Sequence, residues 1–377
     1  MLRQSRIALV VGTRPEAIKL APVAHALAGM GEWPRLYITG QHPGLELNQH
    51  GLQDFDALPL SCPGQTDPML HAELVRSALR RVLRLDPPDL VLVQGDTSSA
   101  LGGAQAAHAE RIPLGHVEAG LRSFDFHQPW PEEGNRVAID RLSDLLFAPT
   151  DDNARNLTEE QVDGAIFVTG NSGIDSLAAI TGILPVARRR NWIPRRGFRL
   201  LATCHRRESW GEGLAQIASA LREIADMGVT VDLLLHPNPA VTEAMWRLLG
   251  DKTSIRLVAP LSHPAMIRAM LDADLILSDS GGMQEEAPAL GIPLLVMRGR
   301  TERPEGIAAG SSLLVGTDRD RIVAEVSRLR SDRAALAAMA TPSLPFGDGR
   351  SGPRIATICM DFLKEVDGLS SAVTRRA

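Results

Sequence analysis

Carboxylates and arginines crowd one segment of the sequence, GHVEAGLRSFDFHQPWPEEGNRVAIDRLSD. Between positions 118 and 136 it carries Glu118, Arg122, Glu132, Glu133 and Arg136. Carboxylates set beside cations are the groups that general acid–base catalysis uses. Pro131 predicts a helix start, which places Glu132 and Arg136 four residues apart on one helix face. That pair either directs both side chains into a site or is an ordinary helix salt bridge.

Polar residues also stand where predicted strands end. They are Asp96 after DLVLVQG, Glu118 after PLGHV, His205 after FRLLATC, His236 after DLLL, and Asp279-Ser280 after DLILS. A single residue of this kind would be an ordinary cap or turn residue. Ligands of open parallel sheets bind at the carboxyl ends of the strands. Because the endings occur in both halves of the chain, they predict one crevice between two domains.

Two segments have the features of an anion site. The first strand–helix turn, VVGTRPEAIKLAP, lacks G-x-G-x-x-G, so a nicotinamide or flavin dinucleotide has no predicted pyrophosphate loop. Arg14 and Lys19 at the start of its helix suit an anion, and the alternative is a solvated surface pair. In the second segment, DLILSDSGGMQEEAPALG, Ser280 and two glycines, Gly281 and Gly282, precede a helix, as in a pyrophosphate site.

The residues around the second segment offer further contacts. Glu285 and Glu286 are expected in the first helical turn, where a carboxylate either caps the helix or holds ribose hydroxyls, and ribose binding suits Glu286 better. The loop MRGRTERPEG sets Arg298, Arg300 and Arg303 before another helix, a good position for bonds to phosphate.

Composition excludes several classes of protein. The net charge is −5, and no Lys/Arg run is interleaved with aromatics, which argues against a nucleic-acid partner. No apolar run reaches the ~18 residues that a membrane span requires. The 3 cysteines lack C-x-x-C spacing, so neither disulfides nor a thiolate metal site is expected. The apolar run near the N-terminus is too short for a signal peptide, and we expect a cytoplasmic protein without a metal or cofactor.

The elements that must position these residues are predicted to be those of an α/β protein. Short apolar runs alternate with amphipathic segments, which indicates parallel sheets buried on both faces. A chain of 377 residues favours two domains. The predicted strands span 7–12, 35–40, 89–94, 114–118, 145–148 and 165–168 in the first half, and 198–203, 231–235, 254–258, 274–277, 294–296 and 313–315 in the second. Predicted helices include 15–28, 68–85, 214–227 and 319–329.

The order of the motifs resembles that of the non-hydrolysing UDP-N-acetylglucosamine 2-epimerases. The motifs are GTRPEAIK, QGDTSS, GHVEAGLR, PWPEEGNR, TGN, HRRES, DSGGMQEEAPALG and TERPEG. The resemblance implies a glycosyltransferase-B-like fold, with two Rossmann-like domains facing across a cleft. The expected divisions are an N-terminal domain at 1–182, a linker at 183–197, a C-terminal UDP-binding domain at 198–352, and a helix at 353–377 crossing back to the first domain.

The resemblance also implies a reaction and its residues. UDP-GlcNAc and UDP-ManNAc would interconvert by elimination and re-addition of UDP through a 2-acetamidoglucal, with no cofactor or metal. The matching active-site positions are Asp96, Glu118, Glu132, Arg136 and His205, of which Asp96 and Glu118 are the expected acid/base pair. The matching UDP-binding positions are Arg14, Lys19, Ser280, Gly281, Gly282, Glu286 and Arg303. Relatives are commonly dimers, and a homodimer is expected.

Three alternatives stay open at this point. The enzyme could act on a modified UDP-HexNAc, because Leu261 and Met266 stand where a polar residue and an aromatic near the uracil are common. It could also be a hydrolysing epimerase that releases ManNAc and UDP, although such relatives typically depart from GTRPEAIK at the Glu-Ala positions, here Glu16 and Ala17. A non-catalytic UDP-sugar-binding protein is the alternative from another class.

A second UDP-GlcNAc site is implied by the resemblance. Its matching positions, as a regulatory site, are Gln41, Arg76, Glu133, Arg206 and His236. Gly44 stands where bacterial members often carry a Gln that contacts the activating molecule. The resemblance therefore predicts the site but not activation through it.

Overall fold

The computed structural model describes residues 6–182, 197–204, 211–236 and 238–374. The chain divides into two compact units, one formed by Met1–Ser176 with Phe346–Ala377 and the other by Leu177–Pro345. Each unit is built around one parallel sheet with helices, which confirms the predicted α/β class.

The first unit has seven strands among its described residues. They are β1 (Ile7–Val11), β2 (Arg35–Ile38), β3 (Ala57–Pro59), β4 (Leu90–Gln94), β5 (Leu114–Val117), β6 (Leu145–Ala148) and β7 (Ala165–Val168). The strand order is β3-β2-β1-β4-β5-β6-β7, and every pairing is parallel. The central strands β1 and β4 are buried throughout and, apart from Gln94 at the end of β4, apolar, as expected where helices cover both faces of a sheet.

Helices connect these strands. They are α1 (Arg14–Gly29), α2 (Pro68–Leu85), α3 (Ser98–Ala109), α4 (Glu132–Leu142), α5 (Asp151–Glu159) and α6 (Ser172–Thr181). Side-chain oxygens of Thr13, Asp67 and Thr97 accept backbone N–H groups at the starts of α1, α2 and α3, which explains why those helices begin there. A short 3-10 helix covers Leu47–His50.

The second unit has six strands in its described part. They are β8 (Phe198–Thr203), β9 (Val229–Leu234), β10 (Ile255–Val258), β11 (Leu275–Ser278), β12 (Leu294–Val296) and β13 (Ser312–Leu314), in the order β10-β9-β8-β11-β12-β13. Its helices are α7 (Glu212–Asp226), α8 (Pro239–Leu249), α9 (His263–Asp272), α10 (Gly281–Leu290), α11 (Glu305–Ala308), α12 (Arg319–Ser331) and α13 (Arg333–Met339).

The last helix, α14 (Ser351–Thr374), belongs to the first unit. Its residues Ile355, Ala356, Cys359 and Leu363 are buried in a core that also contains the apolar face of α1. The Asp175 carboxylate accepts the backbone N–H groups of Ser351 and Gly352, at 3.1 and 2.8 Å, and so holds the start of α14. The first unit is thus completed by the end of the chain.

The structure adds one strand to those predicted in the first half of the chain. The prediction of six strands in the N-terminal half was wrong, since it omitted β3. That strand is three residues long, ends in Pro59 and lies at the edge of the sheet, so the sequence contains no long apolar run that would indicate it. The predicted linker, 183–197, lies outside the described residues except for Gly197. No helix in the described part of the chain has the length and apolar character that crossing a membrane requires.

Candidate active site

Asp96 follows β4 and is held by α4. Its carboxylate Oδ2 accepts a hydrogen bond from Nη2 of Arg136 at 2.5 Å. The side-chain amide of Asn135 donates to the main-chain carbonyl of Asp96 at 2.8 Å. Two neighbouring residues of one helix therefore fix both the side chain and the backbone of Asp96.

Arg136 links Asp96 to a second acid. Its Nη1 donates to Oε2 of Glu133 at 2.8 Å, and the side chains of Arg136 and Glu133 are each 2% exposed. Glu133 also accepts the backbone N–H groups of Ser123 and Phe124, at 3.0 and 2.9 Å. The buried guanidinium thus lies between two carboxylates, and the loop before α4 is tied to the same group. The Glu133 position, predicted as regulatory, is part of this network.

Glu118 follows β5 with a backbone φ of 73°, a conformation that residues other than glycine rarely adopt. Its carboxylate forms a buried ion pair with the ammonium of Lys19 on α1. The amide of Gln94, the last residue of β4, donates to the same Oε2 at 2.6 Å. Strained backbone held in place by its surroundings is characteristic of functional sites.

Lys19 and Gln94 both contact the Glu118 carboxylate. Lys19 is also a position that the resemblance assigns to UDP. Gln94 was not singled out as a site residue, although a polar side chain ending the otherwise apolar strand LVLVQ was a usable signal. Arg14 is half-buried at the start of α1, and its backbone N–H points to Nδ1 of His42 at 3.4 Å.

Glu132 is the first residue of α4 and is half-buried. The positive end of the helix dipole favours a carboxylate at this position. Asp96, Glu118, Glu132 and Arg136 all belong to the first unit. β4 and β5 are adjacent parallel strands, so Asp96 and Glu118 follow neighbouring strands at the same sheet edge.

Glu16 joins the first helix to the loop that carries Asp96. Its carboxylate accepts the backbone N–H groups of Gly12 and Thr13, at 2.5 and 2.6 Å, and the hydroxyl of Thr97. Burial raises the pKa of Glu16 to about 7, although the hydrogen bonds that it accepts favour the charged form and lower the pKa in part. Thr97 is the cap of α3 and follows Asp96 directly.

The described members of the predicted regulatory site lie on separate segments of the chain. Oε1 of Gln41 accepts from the hydroxyl of Ser99 at 2.7 Å. Arg76 pairs with Glu73 on the exposed side of α2. In the second unit, Nδ1 of His236 accepts the backbone N–H of Asn238 at 2.9 Å. Arg206 lies outside the described residues, as does the predicted catalytic His205.

In the second unit, Ser280 caps α10, and Gly281 and Gly282 are the first two residues of the helix rather than residues before it. The cap is made without a hydrogen bond from the Ser280 side chain to the helix. A Cβ at Gly282 would meet only Ser280, at 4.0 Å, whereas one at Gly281 would lie 2.9 Å from the guanidinium carbon of Arg303. The start of α10 and the Arg303 guanidinium are therefore close, an arrangement suited to a diphosphate.

Two arginines behind this turn are held by acids. Arg303 pairs with Glu285 at 2.6 Å and with Glu302, and Arg298 pairs with Glu302 at 2.6 Å. The prediction that Glu285 and Glu286 lie in the first turn of the helix was wrong. α10 begins at Gly281, so that turn has no acidic residue and neither carboxylate caps it. Oε1 of Glu286 lies 2.6 Å from Nε2 of His263 on α9.

Among the residues whose positions are described, no three His, Cys, Asp or Glu side chains come together as metal ligands do.

Comparison with known proteins places these features in a family context. A family model described as UDP-N-acetylglucosamine 2-epimerase matches residues 32–360. The UDP-N-acetylglucosamine 2-epimerase of Salmonella typhimurium is 41% identical over 367 residues, which cover 93% of this chain and 97% of that protein. The enzyme of that name from Escherichia coli K12 has the same identity and coverage.

Solved structures give the same result. The UDP-GlcNAc 2-epimerase of Neisseria meningitidis bound to UDP-GlcNAc has a TM-score of 0.87 at 35% identity, covering 94% of this chain and 99% of that one. The Methanocaldococcus jannaschii UDP-GlcNAc 2-epimerase in complex with UDP-GlcNAc and UDP has a TM-score of 0.81 at 30% identity, with the same coverage. A sucrose-phosphate synthase from Thermosynechococcus elongatus, 14% identical with a TM-score of 0.60 and full coverage of both chains, is similar in fold alone. These likenesses confirm the predicted glycosyltransferase-B-like fold class.

Proposed function

We propose a function from one premise: the chain belongs to the UDP-N-acetylglucosamine 2-epimerase family. Its reaction would be the reversible interconversion of UDP-GlcNAc and UDP-ManNAc by inversion at C2. UDP would remain attached in both substrate and product, so the protein would be a non-hydrolysing isomerase.

The proposed chemistry is an elimination followed by its reverse on the other face of the sugar. A base removes the proton from C2 while the bond between C1 and the diphosphate oxygen breaks, which yields 2-acetamidoglucal and UDP. A proton is then delivered to C2 from the opposite face, and UDP adds back to C1. Atoms and electrons balance without an external oxidant or reductant. The site therefore needs acid/base groups on two sides of the sugar and must keep both intermediates bound.

The geometry that carries the proposal is the pair Asp96 and Glu118. They follow adjacent parallel strands, and each carboxylate is held by a cation from a neighbouring helix, Arg136 or Lys19. Buried carboxylates without such partners would be strongly penalised. We assign proton transfer at C2 to these two groups, with Glu132 as a third acid of the same unit.

Binding of UDP is assigned to the second unit. The amino end of α10, Ser280 to Gly282, would receive the diphosphate, with Arg303 beside it and Glu286 at the ribose. Arg14 of the first unit would supply a further cation. In this proposal His205 and Arg136 stabilise the departing diphosphate.

Retention of UDP, as opposed to hydrolysis, is supported by the β1–α1 turn. The hydrolysing relatives typically differ at the positions of Glu16 and Ala17. In this chain Glu16 is fully engaged with Gly12, Thr13 and Thr97, and Ala17 is buried in the core. An intact turn favours the non-hydrolysing reaction. We also propose a cytoplasmic homodimer that acts in polysaccharide biosynthesis.

The test is incubation with UDP-GlcNAc in deuterated water, followed by proton NMR. We expect UDP-ManNAc to appear and the C2 proton signal to be lost from both epimers. Accumulation of free ManNAc and UDP would instead identify the hydrolysing reaction. Folded protein that neither forms UDP-ManNAc nor exchanges the C2 proton would refute the epimerase proposal, and a panel of UDP-sugars run in the same way identifies the preferred substituents.

A further inference from the structure

A buried histidine lies behind both proposed acid/base residues. His116 is on β5, two residues before Glu118, and its side chain is fully buried. Its Nδ1 is 2.6 Å from Oδ1 of Asp140 on α4, and its Nε2 is 2.8 Å from the carbonyl oxygen of Gly95. Gly95 directly precedes Asp96. The imidazole therefore bridges α4 and the loop that carries Asp96.

Both partners of the imidazole are acceptors. The carbonyl of Gly95 has no hydrogen to donate. The Asp140 carboxylate also receives the Arg122 guanidinium at 2.7 Å and the Gly120 N–H at 3.2 Å, both of which can only donate, so this group too is an acceptor. Two hydrogen bonds to two acceptors require a proton on each ring nitrogen. The geometry thus describes His116 as an imidazolium.

The charges around the ring balance. Asp140 forms a second ion pair with Arg122 at 2.7 Å, and Arg122 pairs with Glu160 at 2.6 Å. Two cations and two carboxylates therefore form one chain, of which His116, Asp140 and Arg122 are almost completely buried. Buried charges persist when they are paired and hydrogen-bonded in this way.

The same pair reaches the loop that follows Glu118. Oδ2 of Asp140 accepts the backbone N–H of Gly120 at 3.2 Å. Gly120 has a φ of 82°, and a Cβ there would lie 2.3 Å from the carbonyl oxygen of Asn153, so the loop has little room to move. His116 and Asp140 consequently fix the loops of both Asp96 and Glu118.

We propose that His116 is a positioning residue for this enzyme, which, with Asp140 as its counter-ion, sets Asp96 relative to Glu118 by donating to the Gly95 carbonyl. This inference rests on the proposed function, because it takes Asp96 and Glu118 as the acid/base pair. The His116 side chain is fully buried, so it acts through these residues and not on the substrate. Substitution of His116 should therefore lower kcat and leave KM unchanged, since displacement of a catalytic group by about 1 Å can reduce a rate by 10²-fold.

Two substitutions separate the two contacts. The amide nitrogen of Gln reaches about as far as Nε2, and that of Asn about as far as Nδ1, so H116Q retains the bond to Gly95 and H116N retains the bond to Asp140. We expect kcat for epimerisation to fall by about tenfold or more in H116N and by less than about threefold in H116Q, with KM little changed in both. H108N, at an exposed histidine near the end of α3, is the matched control and should equal wild type.

Equal losses in H116N and H116Q at similar thermal stability, or wild-type kcat in H116N, would overturn the proposal. A second measurement needs no variant enzyme to be active: in wild-type protein labelled with nitrogen-15 histidine, the His116 ring should show two protonated nitrogens by NMR. A ring with one unprotonated nitrogen would also overturn it. A wild-type enzyme that fails to exchange the C2 proton would count against the proposed function, whereas the NMR result does not depend on activity.

Discussion

Glu118 combines three properties at the residue scale: a left-handed backbone, a buried ammonium partner and a buried amide partner. The partners come from α1 and from the end of β4, so the carboxylate is held from two directions. Its orientation is set before substrate arrives, as effective proton transfer requires. The side chain is consequently more sensitive to substitution than its size suggests.

Replacement of Glu118 by Gln should abolish proton transfer and preserve shape. We expect exchange of the C2 proton in deuterated water to fall by about 10²–10⁴-fold, because the amide cannot act as a base. Affinity for UDP, measured by calorimetry, should stay near the wild-type value, since most of the proposed UDP contacts belong to the second unit and none is made by Glu118. The exposed Glu159 on α5 provides the control E159Q, with unchanged exchange. Wild-type exchange in E118Q would remove Glu118 from the mechanism.

Glu16 gives a second residue-scale prediction, on stability against pH. Its folded pKa of about 7 is above the ordinary value of 4.5, so its protonated form is favoured on folding. The associated stability is fully present below about pH 4.5 and is lost as the pH rises through about 7. E16Q cannot ionise and should therefore gain stability relative to wild type between pH 5 and pH 8, by roughly 3 kcal/mol at most.

The measurement for Glu16 is urea unfolding of both proteins at the two pH values. Gln retains a carbonyl for the N–H groups of Gly12 and Thr13 and an amide that can donate to Thr97, so the turn should survive. The same exposed variant, E159Q, should track wild type at both pH values. A stability difference between E16Q and wild type that does not change with pH would contradict the raised pKa.

At the scale of elements, α2 and α3 pack too closely for a side chain between them. A Cβ at Gly102 of α3 would lie 2.4 Å from the carbonyl oxygen of Ala72 on α2. Helix propensity favours alanine over glycine by about 1 kcal/mol, but the clash must separate the helices. We expect G102A to lower the free energy of unfolding by about 1–3 kcal/mol.

The control for this packing is another helical glycine with open space. Gly29 ends α1, and a Cβ there would have no atom within 4 Å. G29A should leave stability unchanged or raise it by up to about 1 kcal/mol. The measurement is thermal unfolding of G102A, G29A and the wild-type protein under the same conditions. Equal effects of G102A and G29A would mean that the helices have more freedom than the structure indicates.

Sequence reasoning was most successful for elements with strong local patterns. β6, β7, β8 and β12 have the predicted bounds, because each is a short and mostly apolar run. Contacts between distant residues were not predictable in this way. Lys19 and Glu118 are 99 positions apart in the sequence, so the local pattern around Lys19 does not indicate their buried ion pair. From that pattern alone, a cation near the start of a helix suggests a phosphate ligand. Nor does local sequence indicate the positive φ of Glu118, which depends on surrounding tertiary contacts.

At the scale of the whole molecule, the first unit depends on a helix from the far end of the chain. Leu363 of α14 is buried in the core around α1. We expect L363A to destabilise the first unit by about 2–5 kcal/mol through the cavity it leaves. L85A is the control, because Leu85 at the end of α2 is 87% exposed.

Cys359 on the same helix provides the measurement. Burial raises the pKa of its thiol to about 12, so in the folded protein the thiol is buried and protonated. Alkylation at this cysteine, followed by mass spectrometry, should be slow in wild type and in L85A. In L363A it should be faster by about tenfold or more, because undocking of α14 becomes more populated. Unchanged alkylation of Cys359 in L363A would show that α14 does not depend on this contact.

The division of the first unit between Met1–Ser176 and Phe346–Ala377 has a consequence for biosynthesis. A ribosome adds about 5–20 residues per second, so the first sheet emerges roughly 10–40 s before its last covering helix. During that interval the apolar side of α1 lacks the helix α14, which packs against it in the folded protein. Until α14 has been translated, the nascent N-terminal half therefore exposes this apolar surface to chaperones and to aggregation.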